Sequence, residues 1–471
     1  MNLSKCPQIL KLAFFMTFIF SINSCGMLST NQAFPNFDGF WKSEGHSFYL
    51  AISDNIIQRY QYNAVSCFNA PAGYLPSVSL ITKGQINQWA SIKLLNPETM
   101  LIKRPQDPIS LKLKRIKAIP SSCHTEPVNT NLMRIEIIWH TVAENYSYLA
   151  ERNIDWQSLH KSYREKALEL DLKILPDEEQ ARLESFQLLH TLLSELGDDH
   201  SFLMAPNIGK ISFTGAVVNN ETLQLFENSH VRRDYTNMVS PLSETNVKSI
   251  ANNKIVLAQP DENTLYINIL QLGNFSKKDT YGPKSTLALK KALDVISLMS
   301  QQADNIIIDL RFNSGGAIPY ANQIASLFSQ QTSVTTFLQT KLNSAEENGY
   351  TNLKAASYIS AHPQSVTNKK TYVLTSNYTA SAAEYLTLNL KEVGAIQVGE
   401  ATRGVFSPVM VRSLPGGWYF SLSNQRMETA KGLTLEGQGV KPDIERAVNL
   451  EQSIQNKKDE IIQEIINQMS I

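Results

Sequence analysis

The alternation of apolar and polar positions changes period along the chain and divides it into distinct regions. Between residues 34 and 120 apolar residues come in short alternating segments (47–52, 56–62, 89–95, 111–113), separated by Gly, Pro, Asn and Asp. Such segments bounded by turn formers predict a small antiparallel β domain, barrel-like in character. Over 131–204 the period becomes helical: Leu132, Ile135, Trp139, Val142 and Tyr146 fall on one face. Asp155 reads as the cap of a second helix bearing Trp156, Leu159 and Tyr163, and a third is expected to start at Pro176 and stop at Gly197. Residues 205–261 carry only scattered strand-like pieces, 211–218 and 222–226 among them. Over 262–446 short apolar runs (265–269, 306–310, 372–375, 395–398) alternate with helical patterns at 285–300, at 320–328 and from Ser381 onward. That order predicts a largely parallel sheet with helical cover. The tail, 447–471, reads as a closing amphipathic helix.

Composition narrows this little. A chain of 471 residues with 42% apolar and 18% charged residues is an ordinary globular protein of two or three domains. A net charge of +0 without a Lys/Arg run argues against a nucleic-acid partner. The first 24 residues stand apart: Lys5 and Lys11 accompany an apolar run, 12–20, too short to span a bilayer, as in an export signal. Ile22-Asn23-Ser24-Cys25-Gly26 resembles the lipobox of bacterial lipoproteins. The resemblance implies cleavage before Cys25 and lipid on its thiol. It also implies a cell-envelope lipoprotein on the periplasmic side of the outer membrane, since Gly26 rather than Asp follows the cysteine. A plain secretory signal is the alternative. With Cys6 lost and Cys25 lipidated, Cys67 and Cys123 remain, and an exported compartment permits either a disulfide or two buried thiols. No Cys-x-x-Cys occurs, so the cysteines make no zinc site.

Candidate chemistry sits at the joints of the pattern. Ser381 lies in Thr379-Ala-Ser-Ala-Ala-Glu384, between a strand and a helix, where free N–H groups and the helix dipole face a nucleophile. His200 follows a helix stop in Leu196-Gly-Asp-Asp-His-Ser201, a polar setting, whereas His140, His160 and His190 lie inside helical patterns and read as structural. Gly315 and Gly316 end Asp309-Leu-Arg-Phe-Asn-Ser-Gly-Gly316 after a buried strand, and Glu436 precedes the glycine-rich run to Asp443.

Together these segments, with Gly399-Glu-Ala-Thr-Arg-Gly404, resemble the C-terminal-processing (tail-specific) and tricorn-core serine peptidases. The resemblance covers 131–204 and 262–446 and implies a spiral β/α core of the crotonase/Clp-protease type. It implies Ser381 as nucleophile, with the N–H groups of Gly315, Gly316 and Ala382 as oxyanion hole. The lysine that serves one branch as base is replaced by Val405, so the tricorn-like branch, with His200 as base and Glu436 as its acid, is implied instead. That branch has a serine before its histidine; here Asp199 precedes His200 and Ser201 follows, which makes both secondary candidates. No Gly-Leu-Gly loop marks a PDZ domain in 205–261. The expectation is a serine endopeptidase acting on peptide or protein substrates, with no metal or cofactor. A non-catalytic binding protein on the same scaffold, or an esterase or amidase, are the alternatives. An ionised Glu436 beside His200 would place the acidic limb of activity at about pH 6–7.5.

Overall fold

The structure, a computed structural model, describes residues 37–53, 56–70, 81–82, 90–214, 247–342, 349–449, 453, 456 and 459–469. The expected signal at 1–24, Cys25, and 215–246 of the uninformative segment lie outside the described residues. The fold is mixed α/β. Eight antiparallel strands between Gly39 and Ile116 form one sheet, and no pairing among the described residues joins its two ends into a barrel. This sheet is docked on the rest of the molecule rather than separate from it. Gln61 Nε2 donates to Ser413 O at 2.7 Å, Ser413 N–H returns a bond to Gln61 Oε1 at 2.9 Å, and Ser47 Oγ donates to Asn145 Oδ1 at 2.7 Å. A disulfide joins Cys67 to Cys123, which sits in the 3-10 turn Ser121–His124.

Three helices follow: α1 (Asn131–Asn145), α2 (Trp156–Leu172) and α3 (Glu178–Ser194). Each begins where a side-chain oxygen accepts an otherwise orphaned backbone N–H: Thr130 from Met133 (3.2 Å), Asp155 from Ser158 (3.1 Å) and Asp177 from Gln180 (2.8 Å). Asp177, with Glu178 and Glu179 in the first turn, starts α3 two residues later than Pro176 would, because acids suit the positive end of the dipole.

The core is a seven-stranded sheet ordered Lys248–Ile250, Ile255–Asp261, Thr264–Ile269, Asn305–Asp309, Lys370–Thr375, Ile396–Gly399, Ile444–Glu445, with the last four pairings parallel. One face packs under α4 (Pro283–Ser300), α5 (Ile318–Ser326) and α6 (Ala382–Glu392). The other packs under α7 (Glu460–Met469), with Tyr266, Ile307, Tyr372 and Leu374 against Ile462 and Ile465. Cover on both faces is why Ile306, Ile307 and Ile308 are all fully buried and why this strand reads as an unbroken apolar run. Each such side chain contributes about 1.5–3 kcal/mol.

Two further sheets are not expected from the sequence, although one of their strands overlaps the strand-like piece at 211–218. Lys210–Phe213, Phe202–Ala205, Trp418–Ser423 and Val409–Leu414 form one; Lys354–Ile359, Ser333–Thr340 and Gln425–Thr429 form the other. The first pairs Tyr419 with Met204 and carries the segment after His200 into the core.

Candidate active site

Ser381 stands between the strand Lys370–Thr375 and α6, with φ 55° and ψ −126°, a conformation that L-residues seldom adopt. Such a conformation costs about 1–3 kcal/mol and persists only where surrounding structure fixes it. Here Glu384, one turn into α6 and fully buried, does the fixing. Its Oε2 accepts the N–H groups of Ser381 (2.9 Å) and Val405 (2.8 Å), and its Oε1 accepts Gly404 N–H and Thr402 Oγ1–H, both at 2.6 Å. One carboxyl thus binds the serine turn to the 402–405 loop. Burial raises its pKa to about 7, against the pull of these four hydrogen bonds.

Sequence alone assigns Glu384 no role, because a glutamate in a helix first turn ordinarily caps or faces solvent. Glu384→Gln keeps the volume but offers one acceptor and an amide NH2 to four donors. It is expected to destabilise the fold by about 3–5 kcal/mol and to lower kcat about 10- to 100-fold. Thermal unfolding and turnover measured side by side check both.

Opposite Ser381 lie the two glycines. A Cβ on Gly315 (φ +109°) would fall 2.7 Å from Ser381 Cβ and 2.8 Å from Ala380 O; on Gly316 (φ +140°) it would fall 2.0 Å from Leu272 O. Only glycine permits this approach. The expected three-donor oxyanion hole is altered, however. Gly315 N–H donates to Asn313 Oδ1 at 2.8 Å in an Asx turn, while Asn313 Nδ2 is anchored on Ile269 O at 2.9 Å. Among the described residues the N–H groups of Gly316 and Ala382 have no acceptor within the protein. They are the two donors available for an oxyanion. Beneath the loop, the buried Arg311 bridges Asp309 and Asp459, both at 2.7 Å, which ties it to the start of α7.

The third part forms where α3 ends. His200 N–H donates to Asp198 Oδ1 at 2.8 Å, and Ser421 Oγ donates to His200 O at 3.0 Å. The His200 Nδ1 is buried without a hydrogen-bond partner. Burial lowers its pKa below 6.5; Asp198 and then the Ser407 backbone pull the other way. Glu436 is buried too, its side chain 2% exposed. Its Oε2 accepts Phe406 N–H at 2.8 Å and Ser407 N–H at 3.0 Å. Its Oε1 is unpartnered by hydrogen bonds and lies 3.9 Å from Arg152. Burial and then the nearby Asp198 push the Glu436 pKa well above the carboxylate range, against the pull of the Phe406 and Ser407 N–H groups.

Among the described residues no hydrogen bond joins His200 to Ser381 or to Glu436. The acid acting most strongly on His200 is instead Asp198, itself 0% exposed with an unpartnered Oδ2. The sequence placed Asp198 two residues before His200, and that spacing was the available signal. The secondary candidates fall elsewhere. Asp199 pairs with Arg403 at 2.8 Å, fastening the histidine loop to 399–404, and Ser201 is fully buried with no partner for its Oγ. In the lysine slot, Val405 is 2% exposed, and Lys391 is held by Asp443 (2.8 Å) and Gln397 (3.1 Å) at the far end of α6.

A strained serine, a glycine loop with uncommitted N–H groups, and a histidine among buried acids are the parts of a serine hydrolase. Residues 263–446 match the model of peptidase family S41. Among solved structures, the chain is similar to a candidate peptidase from Parabacteroides merdae (20% identity, TM-score 0.55, covering 72% of this chain and 96% of that one). It is also similar to mature CPAF (13% identity, TM-score 0.50, covering 70% and 94%). At such identities the structures establish the shared fold. Residues 263–446 form a domain of the peptidase S41 type, and the chain is a serine-type peptidase, a hydrolase.

Proposed function

We propose that the chain is an endopeptidase of the tricorn-like branch of its family, acting through an acyl-enzyme on Ser381. The observation that carries this reading is the strained Ser381 turn packed against the Gly315–Gly316 loop, with Ala382 and Gly316 N–H groups uncommitted. Ser381 Oγ attacks the scissile carbonyl carbon while His200 takes its proton, and the Gly316 and Ala382 N–H groups receive the negative charge on oxygen. Collapse breaks the C–N bond, and His200 returns the proton to the departing amine. Water, deprotonated by His200, then attacks the ester, and Ser381 regains its proton as the carboxylic acid leaves. Asp198 orients the ring, Glu436 holds the 406–407 backbone, and no step calls for a metal.

A fluorophosphonate should label the protein covalently, and Ser381→Ala should abolish labelling while leaving the thermal transition in place. Labelling that persists in the variant moves the nucleophile elsewhere. A folded wild type that resists the probe supports a binding protein on this scaffold. Turnover of esters but never of peptides supports the esterase alternative.

The same reading places the enzyme outside the cytoplasm, anchored by lipid on Cys25 and exposed to peptide substrates of the envelope. The lipobox-like sequence supports this, as does the Cys67–Cys123 disulfide. Among the described residues no helix is long and apolar enough to cross a membrane. One acyl chain anchors only marginally, so the several chains of a bacterial lipoprotein are required. In detergent partitioning the protein should enter the detergent phase and Cys25→Ser should not. An unmodified mature N-terminus by mass spectrometry excludes the anchor.

A further inference from the structure

Glu136 and His140 stand one turn apart on α1, and His160 faces them from α2. The His160 Nε2 is 3.1 Å and the His140 Nε2 3.6 Å from one and the same atom, Glu136 Oε2. All three potential ligand atoms lie within 4.8 Å of one another. In a tetrahedral zinc site with bonds of about 2.0–2.1 Å, neighbouring ligand atoms are about 3.3 Å apart, and the two distances bracket that edge.

The frame holding these groups is rigid. Trp139 Nε1 donates to Trp156 O and Trp156 Nε1 to Trp139 O, each at 2.9 Å, which locks α1 to α2 beside the cluster. The His160 ring stacks on Trp139, with centroids 4.0 Å apart and planes 13° from parallel. The side chains are 11%, 22% and 20% exposed for Glu136, His140 and His160, enough for an ion to enter and for water to complete its shell. Arg164 Nη1 pairs with Glu136 Oε1, which His160 Nε2 approaches to 3.3 Å, farther than its 3.1 Å from Oε2.

We propose that Glu136, His140 and His160 form a binding site for a divalent transition metal of the zinc class, with water in the fourth position. The set is His2Glu, nitrogen and oxygen donors that suit zinc. The site is separate from Ser381 and supplies nothing to acyl transfer. It clips α1 to α2, and α1 runs directly into Tyr146, which lies against Asp198. The sequence conceals the site because the i,i+4 pair on α1 meets its third member only through helix packing.

Equilibrium dialysis of the untagged protein against Zn2+ with elemental analysis tests this, with Co2+ absorption reporting geometry. Wild type should retain one Zn2+ per chain, unfold at higher temperature with Zn2+ than with chelator, and give the intense visible bands of four-coordinate Co2+. The double variant His140→Ala/His160→Ala should bind at least about a hundredfold more weakly while keeping its fluorophosphonate labelling, which shows that it is folded. Should that variant fail to fold, Glu136→Gln is the volume-preserving substitute, with the same expected loss. Arg164→Ala, which removes a cation competing for Glu136, should tighten binding. Equal zinc affinity in wild type and the ligand variants, or the weak bands of six-coordinate Co2+, overturns the site in favour of a hydrogen-bonded His–Glu–His cluster.

Discussion

His200→Ala is expected to lower kcat by about a thousand- to a hundred-thousandfold with little change in KM, since the base acts on the transition state and not on substrate binding. With His200 proposed as the base, the neutral ring is the form that would be active in the wild type. Burial sets its pKa below 6.5, so kcat/KM should rise as pH rises through that lowered value and be complete by neutrality. This lies below the limb at about pH 6–7.5 that a histidine lifted by an ionised glutamate would give, and the measured profile decides between the two. Burial and Asp198 raise the Glu436 pKa, which disfavours the ionised form that such a lift requires. A second, shallower step near pH 7 belongs to Glu384, whose protonation sets a hydrogen among four donors and loosens the serine turn, and it should vanish in Glu384→Gln. Asp198→Asn should cost about 10^3–10^4 in kcat by releasing the ring orientation, and Glu436→Gln about tenfold. A larger loss in Glu436→Gln than in Asp198→Asn would restore the glutamate as the orienting acid. Undiminished turnover in His200→Ala would remove the histidine from the mechanism.

What was legible in the sequence was what short range decides. The apolar run before Ser381 and the small residues after it specify a strand, a turn and a helix. Asp309-Leu-Arg-Phe-Asn-Ser-Gly-Gly316 specifies a strand ending in a backbone that can approach its neighbour. These elements occur within a few residues of the expected places, and the helix caps at Asp155 and Gly394 follow from the same local chemistry. What was not legible depends on partners far away in the chain. The strands Trp418–Ser423 and Phe202–Ala205 pair across more than 200 residues, and the buried Ser421 and Ser423 disguise the alternation of the first. Glu384 reads as an ordinary helix-start acid until the 402–405 loop surrounds it. The influence of Asp198 on His200 is hidden for a similar reason: it rests on the full burial of Asp198, which its two-residue spacing from the histidine does not disclose.

Gly315→Ala is expected to produce a folded but nearly inactive enzyme. The added methyl would sit 2.7 Å from Ser381 Cβ, 2.8 Å from Ala380 O and 3.1 Å from Ala382 N, at a φ of +109°. Two of these neighbours are backbone of the serine turn, which Glu384 and α6 hold in place, so relief must come from displacing the glycine loop. Overpacking costs about 1–3 kcal/mol and the unfavourable φ about as much again. The displacement acts directly on the reaction, because it carries the Gly316 N–H away from the position that the oxyanion occupies. Loss of one such donor lowers kcat about 10^2–10^3-fold. A misplacement of about an ångström between serine and carbonyl lowers it by a comparable factor. Both together predict a fall of at least a thousandfold, roughly. Gly349→Ala is the matched control: nothing lies within 4 Å of its Cβ position and its φ is outside the positive range, so stability and turnover should stay near wild type. Gly316→Ala, whose methyl would lie 2.0 Å from Leu272 O, should instead fail chiefly by unfolding, since it breaks the pairing that holds the loop on the sheet. Thermal midpoints and fluorophosphonate labelling rates of the three variants separate these outcomes. A Gly315→Ala enzyme that labels at the wild-type rate would show that Ser381 reacts without this loop, and the assignment of the Gly316 N–H to the oxyanion hole would fall with it.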